Sequence, residues 1–143
     1  MLIKQLSVFI ENREGRLEEV TETLKNHNIN IESASVADTS EYGMFRMVVS
    51  EPEKAKAVLK ESGFSAKLTD VIAVRLPHKI GMLYQLFRIM SEEGISVQYM
   101  YALSTEKNGS MIIKVSDAEK ALLSLKKNDF EVLSPEEAYS IND

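Results

Sequence analysis

Phe9-Ile10-Glu11-Asn12-Arg13-Glu14-Gly15-Arg16-Leu17 is the stretch on which the fold turns. An apolar run stops at Ile10, a polar turn carries Gly15, and helical spacing opens at once with Leu17, Val20, Thr21 and Leu24 on one face. Glu14, Glu18 and Glu19 stand near the positive end of that helix's dipole. A strand therefore hands over to a helix here. Upstream, Leu2, Leu6, Val8 and Ile10 share one parity while Ile3 and Phe9 load the other, the pattern of a strand covered on much of both faces.

Downstream, Asn26-His27-Asn28 ends the helix and Ile29-Asn30-Ile31 leads into a strand running to Asp38. Thr39 to Gly43 reads as a hairpin loop and Met44 to Ser50 as the returning strand. Glu51-Pro52 opens a second helix, with Pro in the first turn where its missing N–H costs nothing, and Ser62-Gly63 closes it. Phe64 to Leu68 is a short fourth strand, completing the β-α-β-β-α-β order of ferredoxin-like folds.

The same layout returns. Arg75-Leu76-Pro77-His78-Lys79-Ile80-Gly81-Met82-Leu83 puts Gly81 and Leu83 where Gly15 and Leu17 stood. At a separation of about 66 positions the halves align without a gap. Val8 meets Val74, Gly43 meets Gly109, Val49-Ser50 meets Val115-Ser116, Glu53-Lys54-Ala55 meets Glu119-Lys120-Ala121, and Phe64 meets Phe130. About a dozen identities result, against roughly four from random pairing. The second copy reads as strand 71–76, helix 81–92, strand 96–104, a hairpin at Lys107-Asn108-Gly109, strand 110–116, helix 117–127 and a short strand 130–133. Ser134-Pro135-Glu136-Glu137 has the form of a capping box, so a short helix closes the chain. The expected domains are 1–69 and 70–143, joined with almost no linker through Lys67-Leu68-Thr69-Asp70-Val71. The expected class is α+β: two ferredoxin-like βαββαβ units side by side, with antiparallel sheets and helices on one face.

Composition narrows the function. The 143 residues are 44% hydrophobic and 27% charged, a globular balance. A net charge of -5 with dispersed lysines argues against a nucleic-acid backbone as partner. There is no Cys, hence no disulfide framework, thiolate metal site or cysteine nucleophile, which suits a reducing cytoplasm. The first residues lack the layout of a signal peptide, and no apolar run reaches the ~20 residues of a membrane span. A soluble cytoplasmic protein is expected. No Ser-His-Asp order, metal-ligand cluster, phosphate-cradling loop or dinucleotide fingerprint appears, so the reading is not an enzyme and names no catalytic residue, metal or cofactor. Acylphosphatase-type hydrolysis through Arg13 or Arg16 beside Asn12 lacks the glycine-rich anion loop.

A β-α-β-β-α-β unit of this size, opening on a strand, a turn and Gly-x-Leu, resembles the ACT domain, the amino-acid-sensing regulatory module; the whole chain resembles a tandem ACT protein. The first copy, with Glu11-Asn12-Arg13-Glu14-Gly15-Arg16-Leu17 and then Asn28-Ile29-Asn30-Ile31, is similar to the ACT domain of phosphoglycerate dehydrogenases. That resemblance implies effector contacts from Asn12 and Asn30. The chain departs from the family pattern with Glu14 in place of the usual Pro, Ile10 in place of the effector-binding His, and His78 and Ser96 at the two Asn positions of the second copy.

The chemistry of the residues points the same way. A free amino acid carries a carboxylate and an ammonium, and a Gly turn entering a helix presents N–H groups and a positive dipole end to the carboxylate. Carbonyls and an Asn side chain at the start of the next strand accept from the ammonium. Met44, Phe45, Met82, Tyr99, Met100 and Tyr101 offer an adaptable apolar wall. The expected ligand-binding set is Asn12, Arg13, Gly15, Arg16, Leu17, Asn30 and Ile31 in the first copy, and His78, Gly81, Met82, Leu83 and Ser96 in the second. The expected function is an allosteric amino-acid sensor without a catalytic domain, homodimeric and acting on a metabolic enzyme. The alternative is a ligand-free interaction subunit that dimerises and binds an enzyme partner.

Overall fold

The computed structural model describes residues 1–11, 13–38, 42–106 and 108–142. Among these are six strands and five helices: β1 (Ile3–Glu11), α1 (Arg16–Asn26), β2 (Ile31–Asp38), β3 (Tyr42–Val49), α2 (Pro52–Glu61), β4 (Ser65–Arg75), α3 (Met82–Glu92), β5 (Val97–Ser104), β6 (Ser110–Val115), α4 (Ala118–Lys127) and α5 (Pro135–Tyr139). They fold as two compact units, one of Lys4–Thr69 and one of Met1–Ile3 with Asp70–Asp143.

In the Lys4–Thr69 unit the strands order as β2-β3-β1-β4. β1 and β3 pair antiparallel with Val8 opposite Phe45, and β2 and β3 pair antiparallel with Val36 opposite Phe45. Leu6, Val8 and Ile10 turn to the face that receives Val20 and Leu24 of α1 and Ala55 and Leu59 of α2, and these residues form the core. The fatty parity of β1 read from sequence is thus the helix-covered face.

In the other unit the order is β4-β6-β5, antiparallel throughout, and the chain at 131–133 takes the remaining side of β4 through a Val74–Val132 bridge and hydrogen bonds from Arg75 to Glu131 and from Leu133 to Ala73. Ile72, Val74 and Ile113 meet Leu86, Ile89 and Met90 of α3 and Ala121 and Leu125 of α4. This unit has a second buried layer. Ala73 and Ile112, of opposite parity to that core, are buried, as are Leu133 and Ala138. Arg75, on the Ala73 face, reaches Glu137 of α5 at 3.9 Å, so α5 lies over the face away from α3 and α4. The capping box is present: Ser134 Oγ accepts from the Glu137 amide at 3.2 Å, and the Glu137 carboxylate accepts from the Ser134 amide at 3.1 Å.

Two expected elements differ. The strands expected at 64–68 and 71–76 are one strand, Ser65–Arg75, because Lys67-Leu68-Thr69-Asp70-Val71 contains no Gly or Pro to break an extended backbone. The strand expected at 130–133 is a single bridge, too short to make a ladder.

Candidate functional site

Both turns are built alike. Gly15 and Gly81 are the N-caps of α1 and α3, with φ of 84° and 88°, the left-handed region where a side chain is strained. Their conformation, and not crowding, demands glycine: a Cβ on Gly81 would meet nothing within 4 Å. Neither cap makes a side-chain hydrogen bond. The Gln85 amide already reaches the Gly81 carbonyl, and the Met82 amide reaches the Lys79 carbonyl, so among the described residues the donors left over at the start of α3 are the Leu83 and Tyr84 amides.

Beside the Gly81 turn lies a cavity of about 270 Å³. Leu76, Pro77, His78 and Lys79 of the turn, Met82 and Leu83 of α3, and Ala102, Ser104, Thr105, Gly109, Ser110 and Met111 of the β5–β6 hairpin line it. The hairpin approaches the turn closely: the Leu76 amide donates to the Gly109 carbonyl at 2.7 Å, and a Cβ placed on Gly109 would stand 3.0 Å from His78 Nε2. Most of the lining is apolar, while Lys79, His78 and the hydroxyls of Ser104, Thr105 and Ser110 are among its polar groups.

The first turn differs. Asn12 lies outside the described residues. Arg13 donates to Glu11 at 3.2 Å. Arg16, where the second copy has Met82, folds its guanidinium over the Phe64 ring at 4.5 Å, and its Nη1 donates to Glu19 at 2.6 Å. Its Nε is buried with no hydrogen-bond partner among the described residues. Leu17 is partly exposed.

The strand starts stand apart from the turns. α1 and α3 each have 11 residues, which at 1.5 Å per residue sets turn and strand start ~16 Å apart. Asn30 and Ile31 line a separate hollow with Thr21 and Lys25, and Ser96 lines one of about 620 Å³ with Phe87, Met90, Tyr99 and Met100. Within one unit, then, the two groups do not meet around one molecule. Their main chain is also occupied: the Asn30 amide donates to Ser50 Oγ and its carbonyl accepts from the Ser50 amide, and Ser96 makes the same pair with Ser116, all at 2.9 Å. Asn30 Nδ2 donates to the buried Glu32 at 2.6 Å. The coincidence of Val49-Ser50 with Val115-Ser116 was the sequence signal for this clasp.

The Met and aromatic set is likewise dispersed. Met82 lines the turn cavity, Tyr99 and Met100 the other hollow, Phe45 sits in the first unit's core, and Met44 lies beside Phe9 in a hollow of its own. The contribution missed from sequence is the hairpin, whose Ala102, Ser104, Thr105 and Met111 complete the second cavity.

Compared with known proteins, residues 1–141 match the family model described as an ACT domain pair. Protein BT0572 from Bacteroides thetaiotaomicron is similar over 98% of this chain and 97% of its own, at 35% identity and a TM-score of 0.93. The ligand-free regulatory subunit of aspartate kinase from Thermus thermophilus is similar at 18% identity, covering 90% of this chain and 94% of its own, with a TM-score of 0.63. E. coli aspartokinase III in complex with lysine and aspartate shares the fold at 16% identity and a TM-score of 0.55, over 92% of this chain and 32% of its own. None of the curated proteins compared matches.

Proposed function

The chain belongs to the ACT domain pair family, and from that premise we propose that it is an amino-acid-binding regulatory protein whose ligand seat is the Gly81 turn. The observation that carries this reading is the cavity of about 270 Å³ lined by Leu83, whose amide, like that of Tyr84 next to it, has no backbone partner among the described residues. The cavity's size falls just under the ~300–1,000 Å³ of sites for drug-sized ligands, which suits a free amino acid. The carboxylate sits at the start of α3, where the two amides and the dipole favour negative charge and Lys79 adds a cation. The ammonium meets the Ser104 and Thr105 hydroxyls, and the side chain lies among Leu76, Met82 and Met111. Gly81, His78 and Leu83 shape the wall. Two similar structures belong to aspartate kinases, one a regulatory subunit and one an enzyme holding lysine and aspartate.

The chain acts without a reaction of its own, as a homodimer in the cytoplasm, and occupancy biases a partner enzyme between two states through differential affinity. In this reading Ser96 reaches ligand only across an interface between copies, as do Asn30 and Ile31 if the Asn12, Arg13, Gly15, Arg16 and Leu17 turn is used. No helix of the described residues is long and apolar enough to cross a membrane.

A thermal-shift panel of the standard amino acids tests the ligand. A ligand at a hundredfold excess over its dissociation constant adds about 2.7 kcal/mol. A positive hit lost in Lys79→Glu supports the seat; a panel in which no amino acid moves the melting temperature favours the ligand-free interaction subunit.

A further inference from the structure

The two copies share one register, so each residue beside the Gly81 turn can be set against its counterpart beside Gly15. Met82, Ala102 and Met111 line the cavity; at the matched places the first copy has Arg16, Val36 and Phe45, each a larger side chain. Ala102 stands opposite Met111 in the β5–β6 ladder, as Val36 stands opposite Phe45 between β2 and β3. Phe45 is sealed in its core, 6% exposed, and Arg16 is turned onto Phe64, whereas Met82 and Met111 stay half-buried at the cavity wall. Where the second copy keeps a hollow, the first places bulk.

The wall also sorts by charge. No carboxylate is among the residues lining the cavity; its charges are Lys79 and, when protonated, His78, both at the turn where the proposed seat puts the α-carboxylate. A basic side chain on the ligand would meet these cations with no counter-charge, and a second carboxylate would lie against Leu76, Met82 and Met111 with no donor. The flexible thioethers of Met82 and Met111 instead adapt to an apolar group. We infer that the chain binds one amino acid, with an apolar side chain the size of leucine or methionine, in the second copy alone, and that Met82, Ala102 and Met111 set this choice. The inference rests on the seat proposed above and adds its selectivity and its count. Each buried methylene is worth about fourfold in affinity, so leucine is favoured over alanine by about tenfold or more.

Calorimetric titration of the full-length chain with leucine, methionine, alanine, phenylalanine, aspartate and lysine reads affinity and stoichiometry together. The expected result is one leucine or methionine per chain, with each of the others about tenfold or more weaker. Ala102→Val, which installs the first copy's residue, should weaken leucine binding about tenfold with an unchanged far-UV spectrum, while Val36→Ala leaves affinity and count alone. Met82→Ala, which widens the wall, should raise phenylalanine above leucine. Leucine binding unmoved by Ala102→Val, a ranking unmoved by Met82→Ala, two ligands per chain, or tighter binding of any other amino acid refutes this inference and leaves the sensor standing. Silence toward every standard amino acid, here and in the thermal-shift panel, overturns the sensor and this inference together.

Discussion

Gly43 and Gly109 coincide in the repeat, yet the structure gives them different reasons to be glycine, and the contrast predicts unequal mutational costs. A Cβ on Gly43 would stand 3.4 Å from Ile10 Cγ1, an ordinary contact. A Cβ on Gly109 would stand 3.0 Å from His78 Nε2, 3.1 Å from the Ser104 carbonyl and 3.3 Å from the Glu106 carbonyl. The last two are backbone and cannot swing away. Overfilling a tight site costs about 1–3 kcal/mol, while Gly→Ala returns about 0.4–1 kcal/mol by restricting the unfolded chain. Gly109→Ala is thus expected to lose about 0.5–2 kcal/mol and Gly43→Ala to change by less than about 0.5 kcal/mol. Urea unfolding of both variants, followed by far-UV signal, reads the difference. Because His78 is the flexible neighbour, Gly109→Ala should also displace it and weaken any amino-acid response, which Gly43→Ala leaves alone. Equal stability of the two variants would refute the steric argument and with it the close seating of the hairpin on the turn.

Other outcomes follow from the same geometry. Gly81→Ala, at φ 88° with open space around it, should cost about 0.5–1 kcal/mol from backbone strain net of the unfolded-state gain, read by the same unfolding assay. Ser134→Ala should loosen α5 by about 1 kcal/mol, seen as faster amide exchange at Ala138. Hydrogen bonds from the Ser134 amide first, and its hydroxyl next, hold the Glu137 carboxyl below its usual range, so the stabilisation is complete above the ordinary carboxylate pKa and is lost as pH falls through the lowered value. Protection of the α5 amides, taken relative to their intrinsic exchange rate at each pH, should therefore fall on acidification, and Glu137→Gln should remove that dependence. Arg16→Met, which installs the second copy's residue, should shift stability by less than about 1 kcal/mol, since losing the Phe64 and Glu19 contacts is offset by removing the buried Nε, unpartnered among the described residues.

The duplicated architecture was legible because each of its signals is local: parity in β1, helical spacing after Gly15, Pro52 opening α2, and a capping box at Ser134. The continuity of β4 was less visible, since a strand end is marked by breakers and Lys67 to Val71 has none in either direction. The candidate cavity beside Gly81 was legible in part. Gly81, His78, Met82 and Leu83 sit at one turn because they are neighbours in sequence, whereas Ser104, Thr105 and Met111 join them only through hairpin pairing across the sheet. Asn30 and Gly15, like Ser96 and Gly81, are set apart within one unit by the length of the intervening helix, which sequence proximity does not display. Nor did spacing reveal that Arg16 would turn back onto Phe64 instead of facing the turn.

The most direct test of the account is amide-resolved NMR of the uniformly labelled chain titrated with each standard amino acid. The account predicts saturable shifts for at least one of them, concentrated at His78, Lys79, Leu83, Tyr84 and the Ser104–Met111 hairpin. Spectra unchanged by all of them, or shifts gathered elsewhere with the Gly81 turn silent, would contradict it.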